Sequence, residues 1–169
     1  MRHEYRVGVE WTGAGDVGTE GYRSYARDHV VRVDDLPEIL GSADPTFRGD
    51  RTRHNPEQLL VAALAQCHML SYLHQAVTRG IVVTGYDDDA QGFMTTSGTG
   101  GAFDRVLLRP RVAVRDADMA DVALEAHLQA SKDCFIASSV AFPVEHAPTI
   151  WHDGVLVAGD VSAAGGELE

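Results

Sequence analysis

HNPEQLLVAALAQCHMLSYLH, residues 54–74, is a helical pattern around which the rest of the fold can be arranged. Asn55 is a favourable N-cap, Pro56 suits the first helical position, and the charge of Glu57 complements the helix dipole in the first turn. Gly80 predicts the end of the helix, because glycine adopts the left-handed conformation that terminates helices. We therefore expect one long helix from residue 55 to about residue 79.

Strand patterns precede this helix. Residues 3–11 alternate apolar and polar side chains, which predicts a half-buried strand. Further strands are expected at residues 22–28 and 29–33, and the three together would form an antiparallel sheet. Residues 34–53 contain two prolines, two glycines and many charges, so we expect a long irregular segment there.

A second helix and more strands follow. Residues 81–93 and 103–115 predict two long strands joined by the glycine-rich turn at 97–101, with Pro110 at an edge or a bulge. The remaining elements are a helix at about 118–134, a strand at 138–146, and a strand at 149–159 that bends at Asp153 and Gly154. This order predicts an α+β fold. We expect one domain over residues 1–158 and a frayed tail over residues 159–169.

Composition and charge exclude several functional classes. The chain has 169 residues, 44% of them hydrophobic, which is sufficient for a buried core. Its net charge of −11 disfavours nucleic acid and anionic membrane surfaces as partners. The sequence contains no secretion signal and no apolar run of membrane-spanning length, so we expect a soluble cytoplasmic protein. In that compartment its two cysteines are expected to be reduced at rest.

Cys67, in the middle of the first helix, has two interpretations. Free cysteine is a small hydrophobe that is often buried, so a packing role is the simpler one. The alternative is a reactive thiol. Cys134 ends the second helix, and the two thiols would meet if the helices cross at that height. The residues alone leave both interpretations open.

A reactive thiolate requires a nearby cation or hydrogen-bond donors. Five arginines upstream of the first helix are candidates: Arg23, Arg27, Arg48, Arg51 and Arg53. Glu57 could hold one of them in a bidentate ion pair. It could equally be an ordinary helix N-terminal carboxylate without a partner.

Metal and phosphate sites are not expected. The chain has eight histidines, but His68 and His74 are six residues apart and point to different sides of a helix. No CxxC or HxxxH spacing is present. The glycines at 97–101 lack the phosphate-loop pattern and join two strands, so this segment is interpreted as a turn.

The combination of these features resembles the OsmC/Ohr family of thiol-dependent peroxidases. NPEQLLVAALAQC, residues 55–67, is similar to the first-helix motif of that family, in which a cysteine follows the glutamate by ten residues. Cys134 falls at the end of the second helix, where the family has its second cysteine. The order of elements is similar over about residues 4–157.

The resemblance implies an OsmC-like fold, with antiparallel sheets around two central helices in an intertwined homodimer. By position, Cys67 would be the peroxidatic cysteine, Cys134 the resolving cysteine and Glu57 the carboxylate that orients an arginine. The arginine would be Arg23, with Arg48 as the alternative. The family usually has proline after the second cysteine, whereas this chain has Phe135, which removes a rigid turn.

Helix geometry adds a constraint to the resemblance. Ten residues separate Glu57 from Cys67 by about 15 Å along a helix, so the carboxylate cannot contact the thiol of its own chain. It would have to act through a long arginine or from the partner chain. We therefore expect an obligate dimer, which a stable and active monomer in size-exclusion chromatography would contradict.

The expected function is reduction of alkyl or fatty-acyl hydroperoxides to alcohols through a Cys67 sulfenic acid and a Cys67–Cys134 disulfide. The resemblance implies no bound cofactor and an external dithiol reductant, such as a lipoylated protein. The alternative is a non-catalytic dimer that binds a small apolar ligand in the cleft between its chains.

Overall fold

A computed structural model describes residues 1–161 of the chain. The chain divides into two compact units, Met1–Leu60 and Val61–Glu169. The single domain expected over residues 1–158 stays a prediction. Of the expected tail, residues 162–169 lie outside the described residues.

The first unit contains a three-stranded antiparallel sheet in the order β1-β2-β3. The strands are β1 (Gly8–Trp11), β2 (His29–Arg32) and β3 (Ile39–Gly41). The third strand lies inside the segment expected to be irregular, which also contains a short 3-10 helix at Pro45–Phe47. The sheet was thus predicted correctly in type, but one of its strands was assigned to the wrong segment.

The strand expected at residues 22–28 is wrong, because residues 22–25 form turns and bends and residues 26–28 have no regular secondary structure. Ser24 provides the physical reason. Its hydroxyl accepts a hydrogen bond from the Gly21 N–H (3.0 Å) and lies 2.7 Å from the Gly18 carbonyl oxygen. Such local side-chain bonds compete with a strand ladder, and here they override the propensity.

Helix α1 spans Pro56–Thr78, close to the predicted bounds. The Asn55 side chain accepts a hydrogen bond from the Gln58 N–H (2.8 Å), and Gln58 accepts one in return from the Asn55 N–H (3.2 Å). This reciprocal pair is a capping box, which satisfies two backbone donors at the start of the helix. Gly80 has φ +70°, which confirms its role at the end.

The second unit contains two sheets. One has the order β10-β9-β7-β4 and the other β5-β6-β8. The pairs β7–β9 and β6–β8 are parallel and the remaining pairs are antiparallel. The strands are β4 (Val83–Asp88), β5 (Gln91–Ser97), β6 (Gly100–Leu108), β7 (Pro110–Val114), β8 (Val144–His146), β9 (Thr149–His152) and β10 (Val155–Gly159).

The two long strands expected at 81–93 and 103–115 are in fact four, β4 to β7. Pro110 is neither at a sheet edge nor at a bulge, because β7 lies between β9 and β4 and the register shift of the β4–β7 pair is at Val83 and Gly85. It is the first residue of β7. This position tolerates proline, since a missing N–H costs least where a strand begins.

Helix α2 spans Ala120–Asp133 and follows a 3-10 turn at Ala117–Met119. Of the strand expected at 138–146, only Val144–His146 is present, since Ala137–Ser139 form a 3-10 turn and residues 140–143 have no helix or strand. The hairpin between β9 and β10 is confirmed. Its turn residues Asp153 and Gly154 have φ of +47° and +79°, the positive values that a two-residue hairpin turn requires.

Two apolar clusters form the core of the second unit. The larger one joins Tyr72 and Ala76 of α1 with α2 alanines and residues of β7 and β9, including Val112. The smaller one joins Leu64 with Val106 and other residues near β6. The mixed arrangement of sheets and helices confirms the predicted α+β class.

The described part of the chain, residues 1–161, has no helix that is both long enough and apolar enough to cross a membrane.

Candidate active site

The two cysteines of the chain lie in contact. Cys67 is half-buried on α1, and Cys134 caps the end of α2 with only 1% of its surface exposed. Both are free thiols, and the Cys134 thiol interacts with the Cys67 side chain. The crossing of the helices that the sequence left open is therefore present.

The surroundings of Cys134 keep it protonated. Burial is the main cause and the contact with Cys67 a further one, and together they raise the pKa of Cys134 to about 11. The Ala137 N–H points to the Cys134 sulfur at 3.5 Å and acts in the opposite direction, with a smaller effect. At neutral pH Cys134 is thus a thiol that can donate its S–H to Cys67.

The turn after Cys134 is ordered without proline. The backbone N–H and the hydroxyl of Ser138 both donate to the Cys134 carbonyl, each at 3.0 Å. The Ser139 hydroxyl donates to the Phe135 carbonyl at 2.7 Å. Phe135 itself is 80% exposed. Serine side chains therefore hold the turn that a proline would otherwise make rigid.

A cavity of about 320 Å³ in the first unit contains Glu57 and an arginine, which is Arg27. The carboxylate atom Glu57 Oε2 is buried and has no hydrogen-bond partner among residues 1–161. The other lining residues are mainly aromatic or polar: Trp11, Tyr25, His29, Ser42, Ala43, Asp44, Phe47 and Pro56.

Arg27 is held in place by aromatic rings and backbone carbonyls. Its guanidinium carbon lies 4.4 Å from the centroid of the Tyr22 ring and 4.1 Å from that of Tyr25. Two of its N–H groups donate to the carbonyls of the same two tyrosines, at 2.9 and 2.7 Å. These contacts fix the position of the cation, and within residues 1–161 they use only two of its five N–H donors.

The other candidate arginines have different surroundings. Arg23, the first choice from the resemblance, is exposed and does not line this cavity, and the same holds for Arg48, the alternative. Arg53 pairs with Asp28 (3.5 Å) and Asp50 (3.7 Å). Arg27 is one of the five candidate arginines upstream of α1, and nothing in the sequence beyond its two neighbouring tyrosines distinguishes it from the others.

A buried histidine cluster in the second unit was not predicted. His68 Nε2 lies 3.0 Å from His127 Nδ1, and the His146 ring is 4.3 Å from that of His68. The Tyr72 ring stacks on His127 with centroids 3.9 Å apart. His68 and His127 are 0% and 3% exposed. No local pattern indicates this cluster, because the partners of His68, His127 and His146, are distant from it in the chain.

Burial keeps these histidines neutral. It lowers the pKa of His68 to about 3 and that of His127 to about 2, and it also lowers the pKa of His146. Within the described residues, no group of three or more histidine, cysteine, aspartate or glutamate side chains is arranged to hold a metal ion.

Comparison with known proteins identifies the family and the fold. The OsmC-like protein family matches residues 49–148 of the chain. An OsmC-like protein of unknown function from Vibrio cholerae O1 biovar eltor str. N16961 has a similar structure, with a TM-score of 0.78 and 29% identity over 87% of this chain and 99% of that chain. A search of curated protein sequences gave no match.

Two further solved structures share the fold at lower identity. An organic hydroperoxide resistance protein from Elizabethkingia anophelis has a TM-score of 0.62 and 16% identity over 90% of this chain and 100% of that chain. An organic hydroperoxide resistance protein from Legionella pneumophila has a TM-score of 0.60 and 16% identity over 88% and 98%. The predicted OsmC-like fold is thus confirmed, and the chain belongs to the OsmC family.

Proposed function

We propose that the protein is a thiol-dependent peroxidase that reduces organic hydroperoxides to alcohols. The observation that supports this most directly is the contact between half-buried Cys67 and buried, protonated Cys134. Two proteins of similar fold, from Elizabethkingia anophelis and Legionella pneumophila, are named organic hydroperoxide resistance proteins. A role in the response to oxidative stress would follow.

In the first step, the Cys67 thiolate attacks the distal oxygen of the hydroperoxide. A sulfur–oxygen bond forms, the oxygen–oxygen bond breaks, and the alkoxide takes up a proton and leaves as the alcohol. The sulfur loses two electrons and becomes a sulfenic acid. Cys134 stays protonated during this step, so it does not compete for the peroxide.

In the second step, the Cys134 sulfur attacks the sulfur of the Cys67 sulfenic acid. The disulfide forms, the sulfur–oxygen bond breaks, and the hydroxyl leaves as water with the proton that Cys134 gives up. A dithiol such as a lipoylated protein would then reduce the disulfide by exchange. The cycle needs no bound cofactor.

We assign the cation that stabilises the Cys67 thiolate to Arg27, with Glu57 as its orienting carboxylate. Arg27 shares a cavity with Glu57, whereas Arg23 and Arg48 do not. The resemblance favours Arg23 or Arg48, and these two stay as alternatives. The homodimer with composite sites, and a cytoplasmic location, also belong to the proposal.

The proposed substrates carry an apolar chain. Leu64, one turn before Cys67, belongs to the same apolar cluster as Ile136 and Ala137, just after Cys134. Apolar surroundings bind a hydrocarbon chain with roughly 25 cal/mol per Å² of buried area. Hydrogen peroxide has no such area to bury, so we expect it to react more slowly.

The test measures turnover of tert-butyl hydroperoxide with dihydrolipoamide as reductant. Cys67→Ser should abolish turnover. Cys134→Ser should still consume one equivalent of peroxide and give a sulfenic acid that dimedone traps, but no disulfide. Equal turnover by the wild type and Cys67→Ser would exclude the proposal. Thiols of the wild type that do not react with peroxide would instead favour the non-catalytic ligand-binding protein.

A further inference from the structure

The histidine pair His68–His127 has no role in the steps above, yet each histidine lies on the same helix as one of the two cysteines. His68 directly follows Cys67 on α1. His127 precedes Cys134 by seven residues, a spacing that places both on the same face of α2. The same two helices thus make two polar contacts, one between thiols and one between imidazoles.

We propose that the hydrogen bond between His68 and His127 positions α1 on α2 so that Cys67 and Cys134 remain close enough to form a disulfide. The inference rests on the proposed peroxidase cycle, to which it adds a positioning pair. The two histidines do not contact the substrate in this proposal. They act through the orientation of α1.

The placement of the two contacts explains how the pair controls this orientation. On α1 the two contacts involve adjacent residues, Cys67 and His68. On α2 they involve His127 and Cys134, which are separated by about 10 Å along the helix axis. A rotation of α1 by about 20° about its own axis would move the Cys67 sulfur by about 2 Å, because side-chain atoms lie roughly 5 Å from the axis. Disulfide geometry does not tolerate such a shift, since the two Cβ atoms must lie roughly 3.5 to 4.5 Å apart.

A hydrogen bond sets this rotation more narrowly than apolar packing does. Two apolar side chains can pack against each other in several relative orientations. An N–H···N hydrogen bond of 3.0 Å requires a defined direction as well as a defined distance. Tyr72 stabilises the same orientation of α1 on α2, because its ring stacks on His127 and its hydroxyl donates to the Ala123 carbonyl at 3.2 Å. Both side chains are almost fully buried, so a broken bond would leave polar atoms without a partner in a low-dielectric environment.

Three variants separate positioning from general packing. His127→Leu removes the bond. His127→Asn keeps it, because the amide of asparagine occupies the position of the Nδ1 atom that His127 uses. His74→Leu is the matched control, since His74 is an exposed histidine on α1.

The experiment measures disulfide closure in two ways. Diamide oxidises thiols without a peroxidase site, so closure with diamide tests the positioning independently of the proposed function. With tert-butyl hydroperoxide, the Cys67 sulfenic acid either reacts with dimedone or forms the disulfide with Cys134. The ratio of the two products reports how fast the disulfide forms. In His127→Leu we expect closure with diamide to slow by about tenfold or more, as small misplacements of reacting groups do. The trapped fraction should rise in parallel, His127→Asn should restore most of the rate, and His74→Leu should match the wild type.

Closure of His127→Leu at the wild-type rate would overturn the inference, and so would a loss that His127→Asn shares in full. Failure of the proposed function is a different result, in which wild-type protein closes with diamide but does not react with the peroxide. If His127→Leu does not fold, the double variant His68→Leu/His127→Leu replaces it, because removal of both members of the pair leaves neither imidazole without the other. Wild-type closure in that variant would equally overturn the inference.

Discussion

Arg27 illustrates how a single residue acquires a defined position. Its guanidinium lies on the rings of Tyr22 and Tyr25 and donates to their carbonyls. A cation fixed in this way loses little further freedom when it binds an anion, so its electrostatic effect is available without rearrangement. Glu57, in the same cavity, has a buried oxygen without a partner among residues 1–161, which is suited to receive one more donor.

At this scale we predict that Arg27→Met lowers the second-order rate constant for tert-butyl hydroperoxide by about a hundredfold, the cost of removing one preorganised charge stabiliser. Arg23→Met, a matched change at an exposed arginine, should stay within about threefold of the wild type, as exposed charges usually contribute little. Competition kinetics with a second peroxidase would measure both. A large loss in Arg23→Met with none in Arg27→Met would return the role to Arg23.

Helix α1 is the element on which the site depends, and both of its ends are fixed by local chemistry. The capping box of Asn55 and Gln58 starts it. At the other end, the Ile81 N–H donates to the Ala76 carbonyl at 2.9 Å while Gly80 adopts its positive φ. This closing turn brings Ile81 into the larger apolar core cluster, so the helix end and the core stabilise each other.

We predict that Gly80→Ala lowers the free energy of unfolding by about 1 kcal/mol, because a Cβ at a left-handed residue is strained. A Cβ at this position would meet no atom within 4 Å, so the cost is conformational and not a clash. Gly21 is the matched control, as its surroundings are equally open but its φ is −148°. Gly21→Ala should be neutral or slightly stabilising. Urea denaturation of both variants would measure the difference, and equal midpoints would contradict the explanation.

For the whole molecule, the histidine cluster makes stability depend on acidity. His68 and His127 have pKa values lowered to about 3 and about 2 in the folded protein. The unfolded chain binds protons at these positions below its ordinary pKa of about 6.5, before the folded chain does. Their contribution to stability is therefore fully present above about pH 6.5 and is lost as the pH falls toward the folded values.

We expect each of these two imidazoles to lower the free energy of unfolding by about 2 kcal/mol when the pH falls from neutral to about 5. Asp88 acts in the opposite direction, because burial raises its pKa to about 6 and the folded state takes up its proton first. It offsets only part of the loss from the two histidines. Urea unfolding at the two pH values should show this decrease in the wild type. The double variant His68→Leu/His127→Leu should show a smaller one, and an equal decrease would exclude the histidines as its source.

Features that depend on interactions within a few residues could be predicted from the sequence, whereas features that depend on distant parts of the chain could not. Local signals located α1, α2 and the β9–β10 hairpin, because caps, glycine at positive φ and apolar periodicity act within a few residues. The same reasoning assigned a strand to residues 22–28, where the Ser24 hydroxyl binds the backbone instead. It also merged β4 with β5 and β6 with β7, since the breaks between them depend on pairing with distant strands.

The sequence by itself determined the two helices and their ends, the α+β class, the family resemblance and the choice of Cys67 and Cys134 as the candidate thiols. Only the tertiary structure decided that these thiols are in contact, that burial raises the pKa of Cys134, and that Arg27 shares a cavity with Glu57. It also decided that His68 bonds to His127, 59 residues away. The physical reason is that contact and burial arise between residues that are far apart in the chain, so no local pattern specifies them.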